Sequence, residues 1–369
     1  MQPLARSRVS RRSRAILVFV PLLLSASSVN AVLFYSTGNP NYNTSAPQGS
    51  LTNSGWQFEG AWGVFLGTPI APKYFLTAHH VGGNVGDPFV FRGVTYVTVA
   101  VTNEPGSDLN IWRICGTFPD YAPLYTKSTE VNKSFVVFGR GTQRGDPVTT
   151  STTNLLGQVT VKTNGWFWGS SDAVVRWGEN DVAGVVTDDN VGELLQATFD
   201  SNGGTNECHL SGGDSAGGLF IKDGQVWKLA GINYAVEGPY NTTDSGPGFM
   251  AAIFDEGGLY TLVGTNWVFT PDTPLNQAGS FYASRISAHA NWINSVITAN
   301  VPPEPPVLQS SASATGPYAD EVNATIDTQS NTITVAAPDE SRFYRLRACD
   351  PLTITTTRVQ DGNLVLNYQ

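Results

Sequence analysis

The sequence predicts an all-β protein: a barrel or sandwich body with one late helix, followed by a small β module. Three observations carry that expectation. Short β-branched runs recur throughout, separated by Gly, Pro, Asn and Asp; helical periodicity is convincing in one place; and a proline run interrupts the chain near residue 301. The 369 residues include 38 Gly and 22 Pro, with 41% hydrophobic and 14% charged side chains. That composition is too apolar for a disordered chain and too rich in turn residues for a long helical bundle.

The first element, residues 1–31, reads as an export leader. Arg6, Arg8, Arg11, Arg12 and Arg14 form a basic head with no acidic residue, an apolar run covers 15–24, and small residues lead to Val29-Asn30-Ala31. A basic head, an apolar middle and a small-x-Ala end predict a signal peptide cut after Ala31, and hence a secreted or periplasmic protein. The apolar middle is only about half the length of a membrane-spanning helix. Its removal takes away five positive charges, moving the net charge from −9 to −14. So anionic a chain is expected to bind no nucleic acid. No later apolar run reaches the ~18 residues of a membrane helix, so no membrane span is expected.

The body, residues 32–300, follows as a series of strand-like segments. Residues 94–101 are β-branched, with Val97, Val99 and Val101 on one face. Residues 133–138, 157–162 and 195–199 read similarly. Residues 219–221 and 226–229 flank Lys222-Asp223-Gly224-Gln225, and an Asp-Gly step between two such runs predicts a hairpin. Around 287–299 the spacing of Ala288, Trp292 and Val296, with Ile286 or Ile293, predicts an amphipathic helix. Residues 301–306 form a stiff proline linker, and 307–369 hold further strand runs at 332–336, 342–347, 352–357 and 363–368. This C-terminal module contains no recognisable chemical constellation. Three cysteines, Cys115, Cys208 and Cys349, allow at most one intramolecular disulfide and leave one thiol over.

Three local patterns carry chemistry: Phe75-Leu76-Thr77-Ala78-His79-His80-Val81, then Ser107-Asp108-Leu109-Asn110-Ile111-Trp112, then Gly212-Gly213-Asp214-Ser215-Ala216-Gly217-Gly218-Leu219. Each alone is modest; together, in the order His, Asp, Ser, they are not. At these residues the sequence resembles the chymotrypsin/trypsin-like serine proteases, as a secreted, bacterial-type member with an added C-terminal β module. Weaker likeness at 136–142, 226–232 and 281–297 extends the coverage to about residues 55–300. The resemblance implies two antiparallel β-barrels with a C-terminal helix and a peptidase acting on protein or peptide substrates without a cofactor. It places the catalytic histidine on His80, the acid on Asp108 and the nucleophile on Ser215. Backbone N–H groups of Gly213 and Ser215 would form the oxyanion hole, and His209, six residues before the nucleophile, would lie at the floor of the specificity pocket. Because His209 carries no negative charge, a preference for Lys or Arg is not expected. The physical logic agrees: a serine hydroxyl needs a base to become a nucleophile, and the base needs an acid to hold its tautomer.

Four departures bear on this reading. Val81 stands where many members have a disulfide cysteine. Ala216 replaces a glycine, so the turn after Ser215 must accommodate a Cβ. No recognisable start is available to pair with Asp214. Residues 236–278 form an insertion expected near the cleft. Three other readings rank lower. An α/β-hydrolase esterase would need His289 as its base, after the serine, but that residue falls in the helix. A metal site finds no His-x-x-x-His or Cys-x-x-Cys pair among His79, His80, His209, His289 and the cysteines. A catalytically silent binding or adhesion scaffold is opposed by the presence of all three triad residue types.

Overall fold

The computed structural model describes residues 32–170, 172–273, 277–302 and 304–369; the expected leader lies outside them. In the first half, six antiparallel strands close into a barrel in the order Gly60–Trp62, Phe65–Ala71, Tyr74–Ala78, Leu109–Ile114, Val94–Asn103 and Pro88–Phe91. Aromatic side chains fill it: Trp62, Phe75, Phe89, Phe91, Trp112 and Phe118 are all nearly inaccessible to solvent. Phe75 and Phe89 stack with ring centroids 3.9 Å apart. Gly60 makes room for them, since a Cβ there would lie 2.2 Å from the Phe89 ring.

The second half differs from the expected second barrel. Its principal sheet has seven antiparallel strands in the order Arg176–Asp181, Ser134–Gly139, Gly218–Asp223, Val226–Val236, Ser280–Arg285, Gly192–Thr198 and Gly184–Asp188. The edge strands Arg176–Asp181 and Gly184–Asp188 do not pair with each other, so the sheet is open in its hydrogen bonding. The predicted hairpin is present, with its tight turn on Gly224-Gln225. The α-helix spans Ile286–Ile297, buries Ile286 and Ile293, and packs Trp292 and Val296 against the core. One apolar cluster joins the halves, combining Leu76, Leu109 and Ile111 of the barrel with Val136, Phe138, Phe220 and Ile232 of the sheet. This shared core packs the closed barrel against inner strands of the sheet.

Two smaller sheets lie beside this body. A long hairpin, Arg144–Thr153 and Val159–Trp168, pairs with Ala251–Ile253, and Tyr240–Asn241, Tyr260–Val263 and Asn266–Phe269 form another sheet. The described residues of the 236–278 insertion are therefore folded, with a buried cluster in which Tyr240, Ile253 and Leu259 meet Val148 of the long hairpin. The C-terminal residues form a three-stranded and a four-stranded sheet over Leu308, Ile333, Val335, Leu366 and Tyr368. A Cys115–Cys349 disulfide ties them to the barrel, joined by Lys73–Asp350 at 2.9 Å and by an Arg113–Glu304 ion pair. Cys208 remains a buried thiol.

Candidate active site

Strand pairing sets the first two residues of the site. Tyr74–Ala78 runs antiparallel to Leu109–Ile114 with Ala78 opposite Leu109, so the residues just outside that pair, His79 and Asp108, are neighbours. The His79 N–H donates to the Asp108 carbonyl at 2.8 Å. The chain then enters a 3-10 turn, His79–Val81, which swings His80 over the Asp108 carboxylate. The His80 backbone N–H donates to Asp108 Oδ1 at 2.9 Å, and His80 Nδ1 lies 2.6 Å from Oδ2. Asp108 is 4% exposed, so its carboxylate is kept from water and faces the imidazole. His79 turns the other way, its Nδ1 lying 2.9 Å from Asn110 Oδ1.

Ser215 arrives from the second half, on the tight turn that leads into Gly218–Asp223. Its Oγ lies 2.8 Å from His80 Nε2, completing a line from Asp108 through His80 to Ser215. The turn needs unusual backbone angles: Gly213 has φ +99° and Ala216 φ +66°. The Cβ that the sequence put at issue is accommodated, because Ala216 is fully buried against the shared core and its N–H donates to Asn233 O at 3.0 Å. A left-handed alanine costs on the order of 1–2 kcal/mol, which that packing and hydrogen bond offset. Gly217 has no such latitude, since a Cβ there would lie 2.0 Å from the Phe138 carbonyl oxygen. Asn233 fastens the turn by donating from Nδ2 to Asp214 O at 3.0 Å and to Phe138 O at 2.8 Å. The N–H groups of Gly213 and Ser215 donate to no acceptor among the described residues. Two free backbone donors beside a hydroxyl paired to an imidazole constitute an anion cradle next to a nucleophile.

Asp214, between those donors, faces inward. Its carboxylate accepts from Gly141 N at 2.7 Å, from Ser211 N at 2.7 Å and Oγ at 2.9 Å, and from Val32 N at 3.1 Å to each oxygen. The partner of Asp214 that the sequence did not reveal is thus the Val32 N–H, and the chain continues through Leu33–Phe34 pairing with Cys208–His209. Burial pushes the Asp214 carboxyl up to about 6, against the pull of those hydrogen bonds.

His209 does not reach the site. It is fully buried, wedged between the Phe199 and Phe281 rings with centroids 5.5 Å away in each case. Its Nδ1 lies 2.6 Å from Leu210 O and its Nε2 3.3 Å from Ser280 O, and burial pushes its pKa down to about 4. A ring so enclosed is a packing residue and is absent from the pocket beside Ser215. His289, the base an esterase reading would need, is instead held by Glu104, Nδ1 to Oε2 at 2.6 Å.

The pocket beside Ser215 is a cavity of about 100 Å³, and two of its walls were not legible as such. Tyr234, Ala235 and Val236 form one side, and Trp168, the last residue of the long hairpin, forms another. Tyr234 also sets its ring edge-on to His80, centroids 5.8 Å apart. The strand-like run at 226–229 marked the strand, but only its pairing with Ser280–Arg285 carries 234–236 past Ser215.

No protein-family model matches this chain, and no curated protein matches it. Among solved structures, kallikrein-related peptidase 10 is similar at a TM-score of 0.35 and 14% identity, over 69% of this chain and all of that one.

Proposed function

We propose that this chain is an exported serine endopeptidase that hydrolyses peptide bonds through Ser215, His80 and Asp108. The observation that carries the reading is the unbroken hydrogen-bonded line from Asp108 to Ser215 beside the free N–H groups of Gly213 and Ser215. In the reaction, Ser215 Oγ attacks the carbonyl carbon while its proton passes to His80 Nε2. The carbonyl oxygen gains the negative charge and is held by the two N–H donors, each worth on the order of 3 kcal/mol in such chemistry. As the C–N bond breaks, His80 returns the proton to the departing amine, leaving an acyl group on Oγ. Water then attacks that ester with His80 again taking the proton, and the carboxylic product leaves with Ser215 restored. Asp108 fixes the tautomer that puts the basic nitrogen toward Ser215 and stabilises the imidazolium.

Export enters the same reading through Val32. Cleavage after Ala31 would leave Val32 as the first residue, its nitrogen an ammonium already 3.1 Å from both Asp214 oxygens. A buried carboxylate served only by neutral donors lacks a counter-charge, and this ammonium supplies one. With the 31–32 bond intact, Val32 also sits at φ +31°, an outlier for a β-branched side chain. A terminal residue has no φ to strain. Removing the leader would therefore settle the Ser211–Ser215 segment that carries the nucleophile and one oxyanion donor.

A fluorophosphonate probe, which phosphonylates activated serines, tests the chemistry. We expect labelling confined to Ser215 and lost in Ser215→Ala; a folded wild-type protein that takes no label overturns the assignment. N-terminal sequencing of the exported protein tests the processing, with Val-Leu-Phe expected and any later start contradicting it.

A further inference from the structure

The cavity beside Ser215 has a definite size and chemistry, and together they select a substrate. When a carbonyl carbon comes within the ~3–3.5 Å of Ser215 Oγ that attack requires, with its oxygen at the Gly213 and Ser215 N–H groups, the side chain on the adjoining Cα lies next to the Ser215 wall of this cavity. The space is about 100 Å³. An apolar cavity of ~150 Å³ is what a benzene ring occupies, so an aromatic side chain exceeds this one, while three or four aliphatic carbons fit it.

Trp168 sets that limit. Its indole lies so close to Gly212 that a Cβ there would be 3.0 Å from the ring, and it lines the cavity together with Tyr234–Val236. The ring is held in place from behind, because the hairpin base is clamped by Gly169 N to Gln143 O at 2.8 Å and Gln143 N to Ser170 O at 3.0 Å. The walls offer no charge to a substrate. Asp214 is the one carboxylate among the described lining residues, and both its oxygens are taken by backbone and hydroxyl donors; burial keeps the Tyr234 phenol neutral. Glu237, the next residue after the lining Val236, accepts instead from Ser280 N at 3.0 Å. Entry of a Lys, Arg, Asp or Glu side chain would strand an unpaired charge.

We propose that the enzyme cleaves after small uncharged side chains, those of Ala, Val, Thr and residues of similar bulk, and that Trp168 is the residue that excludes larger ones. This rests on the endopeptidase reading, and the test separates the two. The processed protein is treated with a simple alkyl fluorophosphonate, which carries no amino-acid side chain, and with a series of peptidyl diphenyl phosphonates whose reacting residue is the Ala, Val, Phe or Lys analogue. We expect the Ala and Val analogues to label Ser215 at least about tenfold faster than the Phe and Lys analogues, the scale at which a pocket discriminates against a misfit side chain. In Trp168→Ala the Phe-to-Val rate ratio should rise by about tenfold, and in Trp168→Leu, which keeps an apolar wall, by less. Because a ratio is read, a general loss of activity in either variant divides out. Phe or Lys analogues reacting as fast as Val on the wild type, or a ratio unmoved in both variants, overturns the proposal while leaving the peptidase reading standing. Failure of the plain fluorophosphonate to label removes the peptidase reading and this proposal with it.

Discussion

The two halves of the body are built on opposite principles. Between residues 60 and 118 the barrel interior is a stack of aromatic rings, and Asp108 is its one buried carboxylate. The second half buries Glu207, His209, Asp214, Asp255, Glu256 and Arg285 among its strands. His80 and Asp108 thus sit on a scaffold packed chiefly by aromatic rings, with one buried carboxyl, Glu59, at the mouth of its first strand, where burial pushes it up to about 8 and Thr68 and the Gly218 N–H hold it. The nucleophile sits on a scaffold whose geometry depends on which buried groups are charged. Apolar packing is insensitive to pH, whereas a buried ionisable group ties folding to proton uptake.

The largest expected effect tests the single charge of the apolar half. Asp108→Asn keeps the shape but favours the wrong imidazole tautomer, and kcat should fall by about four orders of magnitude. A loss under tenfold, measured with a peptide substrate, would mean the tautomer is set elsewhere. Next comes the aromatic stack. Phe89 is fully buried against Phe75, and Phe89→Ala should cost about 3–5 kcal/mol by denaturant titration. That cost should be the same at pH 5 and pH 8, because the ionisable groups that touch the stack, Arg92 and Tyr96, keep one charge state over that range.

Glu207 gives the contrasting case. Burial pushes its carboxyl up to about 8, helped by repulsion from Asp200 and Asp181, so it is protonated in the folded protein at neutral pH. The unfolded chain ionises it from about pH 4.3 upward. Stability is therefore lost as pH rises between those two values and levels off above the folded one. Glu207→Gln removes that slope. Its unfolding free energy should match the wild type near pH 4 and exceed it at pH 8 by on the order of 2–4 kcal/mol, read by denaturant titration. A gap between the two proteins that does not change with pH would erase the distinction between the halves at this residue. The smallest effect concerns the turn after the nucleophile. Ala216→Gly relieves a left-handed alanine but gives up a buried methyl, two opposing effects of about 1 kcal/mol each. We expect stability within 1 kcal/mol of wild type and retained labelling of Ser215.

Much of the candidate site was legible because its signals are local. The His-Asp-Ser order, the glycines around Ser215 and the Asp-Gly hairpin each occupy a few consecutive residues. His80 could be preferred to His79 by resemblance, and the 3-10 turn supplies the physical reason, since one residue further along it the side chain reverses direction. His209 was misplaced because counting six residues back from Ser215 fixes a position along the chain, while the Phe199 and Phe281 rings decide where its side chain can go. The long hairpin ending in Trp168 went unread as a unit. Its strands are Thr-rich and partly exposed, so they lack the alternating apolar pattern that marks a half-buried strand.

Backbone stiffness, turn chemistry and apolar alternation act over a few residues, so the sequence by itself determined the β character, the late helix and the proline break, and short motifs read by resemblance singled out the three residues that the fold joins in one hydrogen-bonded line. The rest needed partners far apart in the chain. Val32 meets Asp214 across 182 positions, Cys115 meets Cys349 across 234, and Trp168, next to the Gly165–Phe167 stretch that pairs with Ala251–Ile253, lines one cavity with Tyr234. The open second sheet, the Val32 N–H at Asp214 and the size of the pocket all follow from such long-range pairings. Only the packed fold decides them, because burial and side-chain direction are properties of the surroundings and not of the residue.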